Sequence, residues 1–257
     1  MKIGFYDSGI GGVKLLNDVI EKGVKANFVM LGDNKYFPYG TKTKEEVIDR
    51  ARKCVSYLVS EGCKLIVIAC NTATSCALLT LKEEFKDITF IGTEPNIADA
   101  ISDENHKKVL VLATTITVSG DLIKKRINDL NANDDVILMK ADELVRLVQS
   151  EDFENNKEKV DNYLKNVLSN FKDEEISHIV LGCTHFPCVN DNIIRVMGNN
   201  VKILDSSSNL ALKLKENGVS EGSTSIKVLC TKDEKSFTSA AKSILSGKDI
   251  TVEVIDR

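Results

Sequence analysis

The sequence predicts an α/β protein built on parallel β-sheets, and three features of its pattern support that class. Short apolar runs recur along the chain, and stretches with helical periodicity separate them. The runs are continuous rather than alternating, as in strands that are covered on both faces of a parallel sheet. Two of the runs end in the same kind of motif, which indicates two similar halves.

The predicted elements alternate regularly along the chain. Strands are expected over 2–7, 27–33, 65–69, 89–92, 109–113, 136–139, 178–182, 201–204 and 225–230. Helices are expected over 12–22, 43–61, 73–86, 118–130, 152–169, 188–197, 206–217 and 236–246. The sequence contains no long linker rich in Pro, Gly or Ser and no low-complexity segment.

Composition and charge exclude several classes of function. Of the 257 residues, 42% are hydrophobic and 28% are charged, which is typical of a soluble globular protein with a sizeable core. The net charge of −4 argues against a surface for nucleic acid, which normally carries a basic footprint. No apolar run reaches the roughly 20 residues of a membrane helix, and the N-terminus turns polar too early for a signal peptide. We therefore expect a cytoplasmic protein that binds neither nucleic acid nor membrane.

The cysteines do not form a recognisable disulfide or metal pattern. There are seven, at positions 54, 63, 70, 76, 183, 188 and 230, and none forms a CxxC motif. An odd number of cysteines in a chain of this size argues against a disulfide framework. The three histidines, at 106, 178 and 185, do not combine with a cysteine pair at zinc-finger spacing, so no metal is expected. Five of the thiols are expected to be packing residues.

Two cysteines differ from the others in their setting. LIVIACNTATS (65–75) and HIVLGCTHFP (178–187) each end a predicted strand with a small residue, a cysteine and a polar pair. Cys70 and Cys183 are thus expected beside helix N-termini, where the positive end of the helix dipole lowers the pKa of a thiol. His185 follows Cys183 closely enough to stabilise its thiolate or to exchange a proton with it.

Other predicted strands also end in small polar groups. Asp7-Ser8-Gly9, the loop over 32–41 and Thr114-Thr115 stand at such ends, where open α/β sheets bind ligands. Together they indicate a site for a small polar molecule. Two simpler interpretations stay open: Asp7 or Ser8 could only cap the next helix, and Pro38–Thr41 could be a plain turn. A dinucleotide fingerprint fails, because Lys14 stands where its third glycine would be.

Three kinds of chemistry could use such thiols. Nucleophilic catalysis needs one thiolate with a base and an oxyanion hole, and gives no reason for a second matched cysteine. A redox pair usually occurs as CxxC or with a resolving partner close by. In the third, one group removes a proton from a carbon and its counterpart returns a proton to the opposite face, which inverts the stereocentre.

The motifs together resemble those of the glutamate racemases, within the aspartate/glutamate racemase superfamily. They are DSGIGG (7–12), GDNKYFPYGTK (32–42), IACNTAT (68–74), GTEP (92–95) and LGCTHFP (181–187), in the family's order and spacing. The resemblance implies a cofactor-independent isomerase that interconverts L- and D-glutamate. D-Glutamate would serve peptidoglycan synthesis, and so cell-wall biogenesis and cell shape. The resemblance also implies glutamate as the small-molecule partner, no cofactor or metal, and a homodimer.

The resemblance assigns roles residue by residue. Cys70 is expected to take the proton from D-glutamate and Cys183 from L-glutamate, with Asp7 and His185 as catalytic partners. The expected substrate-binding residues are Asp7, Ser8, Tyr39, Gly40, Asn71, Thr72, Thr115 or its neighbour Thr114, Thr184 and His185. The implied fold has two pseudo-symmetric parallel-sheet α/β domains with the active site in the cleft between them. The first domain is expected over 1–95 plus 207–257, and the second is inserted over 96–206.

Two departures from the family pattern stand out. In LVRLVQ (144–149), Gln149 stands where the family has a glutamate that pairs with the histidine; Glu143 or Glu151 could substitute for it. A neutral amide cannot raise the pKa of His185 as a carboxylate would. The usual GDTARVPYG is GDNKYFPYG in this chain, with the bulkier Tyr36 and Phe37.

Three functions remain open from the sequence. The first is glutamate racemisation, and the second is racemisation of another substrate, such as aspartate. The third is amino-acid binding without catalysis, which the neutral Gln149 motivates. A pyridoxal enzyme would need a Schiff-base lysine, and no lysine is marked by its sequence setting.

Overall fold

The chain folds into two compact units, each built around one parallel sheet. The computed structural model describes residues 1–149, 157–171, 174–219, 223–232 and 235–255. One unit comprises Met1–Thr93 and Ser207–Arg257, and the other comprises Glu94–Ser206. All strand pairings found among the described residues are parallel. The prediction of two parallel-sheet α/β domains is confirmed.

The elements follow one another in strict alternation through most of the chain. The first unit begins with β1 (Lys2–Asp7), α1 (Gly11–Glu21), β2 (Asn27–Gly32), α2 (Lys44–Ser60), β3 (Leu65–Ile68), α3 (Asn71–Glu84) and β4 (Thr89–Gly92). The second unit contains α4 (Ile97–Ser102), β5 (Lys108–Ala113), α5 (Thr115–Ser119), α6 (Asp121–Asp129), β6 (Val136–Lys140), α7 (Asp142–Gln149), α8 (Lys157–Leu168), β7 (Ile176–Gly182), α9 (Asn190–Met197) and β8 (Lys202–Leu204). The chain then returns to the first unit with α10 (Ser207–Glu216), β9 (Ser225–Cys230), α11 (Lys235–Ile244) and β10 (Ile250–Val254).

Four adjacent strands of the first sheet have the same order as the four strands of the second. The first sheet runs β10-β9-β2-β1-β3-β4 and the second runs β6-β5-β7-β8. If the strands of each unit are counted from its first strand, β2-β1-β3-β4 and β6-β5-β7-β8 are both of the order 2-1-3-4. Sheets of this order bind ligands beyond the carboxyl ends of the first and third strands, where the direction of winding reverses. The similarity that the sequence shows in one motif therefore extends to the topology of both units.

Burial explains why the strands are continuous apolar runs. Every residue of β3 is buried, and so are all residues of β1 after Lys2. The core of the first unit includes Phe5, Phe28 and Val67, whereas that of the second includes Val109 and Val180. Helices cover these sheets with amphipathic faces, as α1 does with Leu15, Leu16 and Val19. Within the described ranges, no helix combines the length and the apolar character needed to cross a membrane.

The structure contains all the predicted strands, and it also contains elements that the sequence pattern did not predict. The strand β10 lies at the edge of its sheet and has the sequence ITVEV, which alternates apolar residues with the exposed Thr251 and Glu253. The helices α4, α5 and α7 have 6, 5 and 8 residues, which is too short for helical periodicity to identify them. The helix expected over 152–169 lies partly outside the described residues, and α8 is its described part.

Candidate active site

Asp7 and Ser8 lie beside Cys70 because β1 and β3 are neighbours. Tyr6 and Ile68 are paired in register, so the segments that follow β1 and β3 leave the sheet at the same level. The Ser8 hydroxyl oxygen lies 3.7 Å from Cys70 Sγ. Asp7, Ser8 and Cys70 are all buried. The structure therefore brings together three residues that the sequence selected from motifs more than sixty positions apart.

The glycine-rich segment after β1 holds the Asp7 carboxylate instead of beginning a capped helix. Asp7 Oδ2 accepts a hydrogen bond from the Gly9 amide at 2.9 Å. The helix α1 begins only at Gly11, and Ile10, the residue before it, makes no side-chain cap. The interpretation of Asp7 or Ser8 as a helix cap is therefore wrong. Gly12 is required for close approach, since a Cβ there would lie 2.3 Å from Asp7 Cβ.

Cys70 occupies the N-cap of α3, yet its pKa is raised. Its sulfur accepts a hydrogen bond from the Ala73 amide at 3.5 Å, as expected at a helix N-terminus. Burial, and then the neighbouring Asp7 carboxylate, raise the pKa of Cys70 to about 12 and outweigh the hydrogen bonds from Ala73 and Ser8. The expectation of a lowered pKa is therefore wrong for this thiol. Cys70 is protonated at neutral pH.

Asn71 and Thr72 begin α3 directly after Cys70, and both are buried. The Asn71 side-chain amide donates to the Thr93 carbonyl at 3.4 Å. The Thr93 hydroxyl in turn donates to the Ala69 carbonyl at 2.6 Å. The loops after β3 and β4 thus hold the first turn of α3 in place.

The loop after β2 points the Tyr39 side chain into the first unit. Tyr39 and Gly40 belong to a short 3-10 helix, Tyr39–Thr41. The Tyr39 hydroxyl donates to Asp33 Oδ2 at 2.6 Å and lies 2.9 Å from the hydroxyl of Tyr6, which donates to it. Because this hydroxyl is engaged inside the unit, the backbone is the part of Tyr39–Gly40 suited to bind a ligand. Asp33 is itself paired with Arg50, which sequence reasoning missed.

In the second unit, β5 and β7 end side by side and carry Cys183. Ala113 and Gly182 are paired in register, and a Cβ on Gly182 would lie 2.8 Å from Ala113 Cβ, so this position requires a very small residue. Cys183 is only partly buried. The α-helix predicted over 188–197 is α9, but a 3-10 helix, Phe186–Val189, with proline in its first turn separates it from Cys183. Cys183 therefore lacks the helix-capping position that Cys70 holds.

His185 lies between Cys183 and Gln149. Its Nδ1 is 3.7 Å from Cys183 Sγ and 3.4 Å from the Thr184 hydroxyl. Its Nε2 is 2.8 Å from Gln149 Oε1. Burial lowers the pKa of His185 to about 4, so the ring is neutral at pH 7. With the amide oxygen of Gln149 as acceptor, Nε2 carries the proton and the lone pair of Nδ1 faces the thiol.

The partner of His185 is thus the glutamine that departs from the family pattern. Glu143, one suggested substitute, pairs with Arg146 at 3.2 Å. Glu151, the other, lies outside the described residues. A carboxylate in this position would raise the pKa of His185 and so oppose the effect of burial. Gln149 is neutral and has no such effect, so burial lowers this pKa unopposed.

Thr115 is bound to the start of α7. Its amide and hydroxyl both donate to the Asp142 carboxylate, at 3.1 Å and 2.6 Å. Its neighbour Thr114 caps α5 instead, accepting from the Thr117 amide at 3.3 Å. The helix α7 is therefore tied at one end to Thr115 through Asp142 and at the other to His185 through Gln149. Asp142 carries no local sequence signal that would have selected it.

The two cysteines are expected to differ in reactivity. Cys183 should react with iodoacetamide well before Cys70, because only the thiolate is nucleophilic and Cys70 is buried with a raised pKa. Cys63, a buried thiol whose pKa burial raises to about 11, serves as the slow reference. A time course at pH 8, with the modified peptides quantified by mass spectrometry, checks the order. Modification of Cys70 before Cys183 would contradict it.

Comparisons with known proteins agree with this fold. The model of the Asp/Glu/Hydantoin racemase family matches residues 14–212. A glutamate racemase of Clostridium perfringens is 40% identical over 213 residues, which cover 83% of this chain and 81% of the relative. The crystal structure of a glutamate racemase isoform from Bacillus anthracis has a TM-score of 0.88 at 28% identity, covering 99% of this chain and 97% of its own. A glutamate racemase from Francisella tularensis, solved in complex with D-glutamate, has a TM-score of 0.83 at 27% identity with the same coverage.

Sequence and fold together define the class. The chain belongs to the Asp/Glu/Hydantoin racemase family. Within that family its place is among the glutamate racemases, which confirms the resemblance seen in the motifs.

Proposed function

We propose that this protein interconverts L- and D-glutamate without a cofactor, with Cys70 and Cys183 as its two proton-transferring groups. One observation carries the mechanism: in both units the cysteine lies within two residues of the carboxyl end of the third strand in the order 2-1-3-4. Two related units that each present one thiol match a reaction that needs a proton-handling group on each face of one carbon. The relatives named as glutamate racemases support glutamate as the substrate.

The two thiols must hold different protonation states in each direction. To form D-glutamate, Cys183 takes the α-proton of the L-isomer while Cys70 donates one. The raised pKa of Cys70 suits this donor role. In the reverse direction Cys70 must first lose its proton. The Asp7 carboxylate beside it is the proposed acceptor, and the ammonium group of the substrate would stabilise the thiolate.

His185 is the proposed partner of Cys183. Its neutral ring offers the lone pair of Nδ1 to the thiol 3.7 Å away, so it can take that proton and leave a thiolate. Gln149 holds the ring from the other side. Asp7 and His185 thus have parallel tasks, each receiving a proton from the cysteine next to it.

The remaining residues would bind glutamate and stabilise the carbanion that forms beside its carboxylate. Fixed donors are needed for this in a site without a cofactor. The proposed donors are Ser8, the backbone of Tyr39 and Gly40, Asn71, Thr72, Thr115 and Thr184. Exclusion of water would strengthen these contacts. The same proposal includes the predicted cleft, the domain boundaries near 95 and 206, a homodimer and a cytoplasmic location.

The test is direct. Purified protein is incubated with L-glutamate, without any added cofactor, and both enantiomers are quantified by chiral chromatography. We expect an equal mixture, because enantiomers have equal free energies. Turnover of aspartate in place of glutamate would favour the second candidate, which the bulky Tyr36 and Phe37 motivate. Tight binding of glutamate without turnover of any acidic amino acid would overturn the proposed racemase activity.

The supply of D-glutamate for peptidoglycan is the proposed biological role. Expression of the chain in a bacterial strain that requires D-glutamate is expected to restore growth without that supplement. Failure to restore growth by a protein that racemises glutamate in the test tube would contradict this role, but not the reaction.

A further inference from the structure

A buried ion pair links the helix α2 to the loop after β2. Arg50 Nε lies 2.9 Å from Asp33 Oδ2, and Nη2 lies 2.8 Å from Oδ1, so the guanidinium binds the carboxylate at two points. The side chain of Asp33 is inaccessible and that of Arg50 is only 7% exposed. Two-point contacts of this kind orient both partners as well as attracting them.

The same carboxylate holds the Tyr39 ring. Oδ2 of Asp33, already bound by Arg50, also accepts the hydrogen bond from the Tyr39 hydroxyl at 2.6 Å. The Tyr6 hydroxyl approaches the Tyr39 hydroxyl at 2.9 Å from the other side. The position of the Tyr39 ring, and with it the backbone of Tyr39 and Gly40, thus depends on where Arg50 places the Asp33 carboxylate.

Tyr36 covers the guanidinium. The central carbon of the Arg50 guanidinium lies 3.6 Å from the centroid of the Tyr36 ring, which is the distance of a stacked cation. The side-chain nitrogens of Lys35 and Lys42 each lie 5.9 Å from the same centroid. The bulky residue that departs from the family pattern therefore forms one wall of the Arg50 site.

We infer that Arg50 and Tyr36 are positioning residues for the reaction, acting through Asp33 and Tyr39 on the backbone of the Tyr39–Gly40 turn. This inference rests on the proposed role of that turn in holding glutamate. The Tyr36 ring holds the guanidinium in place against the Asp33 carboxylate, and the carboxylate keeps the turn in one conformation. The loop is also held at its start, where the Asn34 side-chain oxygen accepts from the Thr231 amide at 3.0 Å.

A positioning role has a kinetic signature that a purely structural role lacks. If the turn holds substrate and transition state alike, its displacement raises KM and leaves kcat nearly unchanged. A residue that only stabilises the fold lowers the melting temperature, and the molecules that remain folded keep their KM. The KM for each enantiomer and the melting temperature therefore separate the two roles.

Arg50→Leu and Arg52→Leu form a matched pair for the test. Both arginines lie on α2, but Arg52 is 42% exposed and binds Glu84 and Asp49 at the surface. Arg50→Leu is expected to raise KM for both enantiomers about ten-fold, with kcat within about three-fold of wild type. Arg52→Leu is expected to leave both constants unchanged, since exposed ion pairs contribute little.

A second pair keeps the inference testable if Arg50→Leu does not fold, which is a known risk when a buried charge loses its partner. Tyr36→Phe keeps the stacked ring and is expected to keep the wild-type KM. Tyr36→Ala removes the ring and is expected to raise KM about three-fold, a smaller effect than the loss of the guanidinium.

The outcomes are distinct. An unchanged KM in Tyr36→Ala and in folded Arg50→Leu would overturn the inference and leave the racemase proposal intact. An equal rise in KM for Arg52→Leu would also overturn it, because the effect would then belong to the whole helix. A wild-type protein that racemises neither enantiomer of glutamate would overturn the proposed function and this inference together.

Discussion

Cys70→Ala and Cys183→Ala are each expected to lower the rate of glutamate racemisation by about 10²–10⁴-fold, the range typical of a lost proton-transfer group. Each variant should lose activity in both directions. In either direction one thiol removes the α-proton and its counterpart supplies the new one, so no direction can proceed with a single cysteine. Initial rates from L-glutamate and from D-glutamate, measured by chiral chromatography, provide the numbers.

Two other cysteines provide matched controls. Cys76 lies on α3, the helix that Cys70 caps, and Cys188 lies five positions after Cys183 in the same connection. Cys76→Ala and Cys188→Ala are expected to keep rates close to wild type. The two-cysteine mechanism would be contradicted if Cys70→Ala or Cys183→Ala retained most of its activity while folding normally.

Gln149→Glu is expected to raise the pKa of His185 by about 1–3, because a carboxylate 2.8 Å from Nε2 would stabilise the charged imidazolium. In wild type, burial holds this pKa at about 4, below its ordinary value of 6.5. Between pH 6.5 and about 4, His185 is therefore protonated in the unfolded chain but neutral in the folded protein. The free energy of unfolding should fall as the pH falls through this window in wild type, and fall less in Gln149→Glu.

The same substitution should change catalysis in a direction-specific way. His185 must be neutral to accept the proton of Cys183, so the acid limb of kcat/KM for L-glutamate should move to higher pH in Gln149→Glu. Nitrogen-15 NMR titration of His185 measures its pKa directly. Glu143→Gln, on the same helix α7 but paired with Arg146, is the control and should shift neither quantity. An unchanged His185 titration in Gln149→Glu would contradict the role of Gln149.

The parts of the site that follow strand ends could be predicted from sequence. Cys70 and Cys183 stand directly after buried apolar runs, and the ends of neighbouring parallel strands must meet at one edge of a sheet. Given that β1 and β3 are neighbours, the contact between Ser8 and Cys70 follows from this rule. The edge strand β10 was not predicted. One of its faces is exposed, so its sequence alternates, unlike the continuous apolar runs of strands that are covered on both faces.

The electrostatics of the site could not be predicted in the same way. A helix N-terminus alone favours a thiolate, and that local rule predicted a lowered pKa for Cys70. Burial and the Asp7 carboxylate reverse it, and both depend on how distant segments fold together. The Arg50–Asp33 pair likewise joins residues 17 positions apart in a helix and a loop, without any local pattern.

The exchange of the α-proton with solvent tests the central claim most directly. L-Glutamate is incubated with wild-type protein in deuterated water, without cofactor, and the two enantiomers are separated early in the reaction. Two thiols predict D-glutamate that carries deuterium at its α-carbon, whereas the remaining L-glutamate still carries protium, because the donating thiol holds a solvent deuteron. D-Glutamate that retains the original proton, or deuterium that enters both enantiomers equally from the start, would show that a single group moves the proton and would contradict the account.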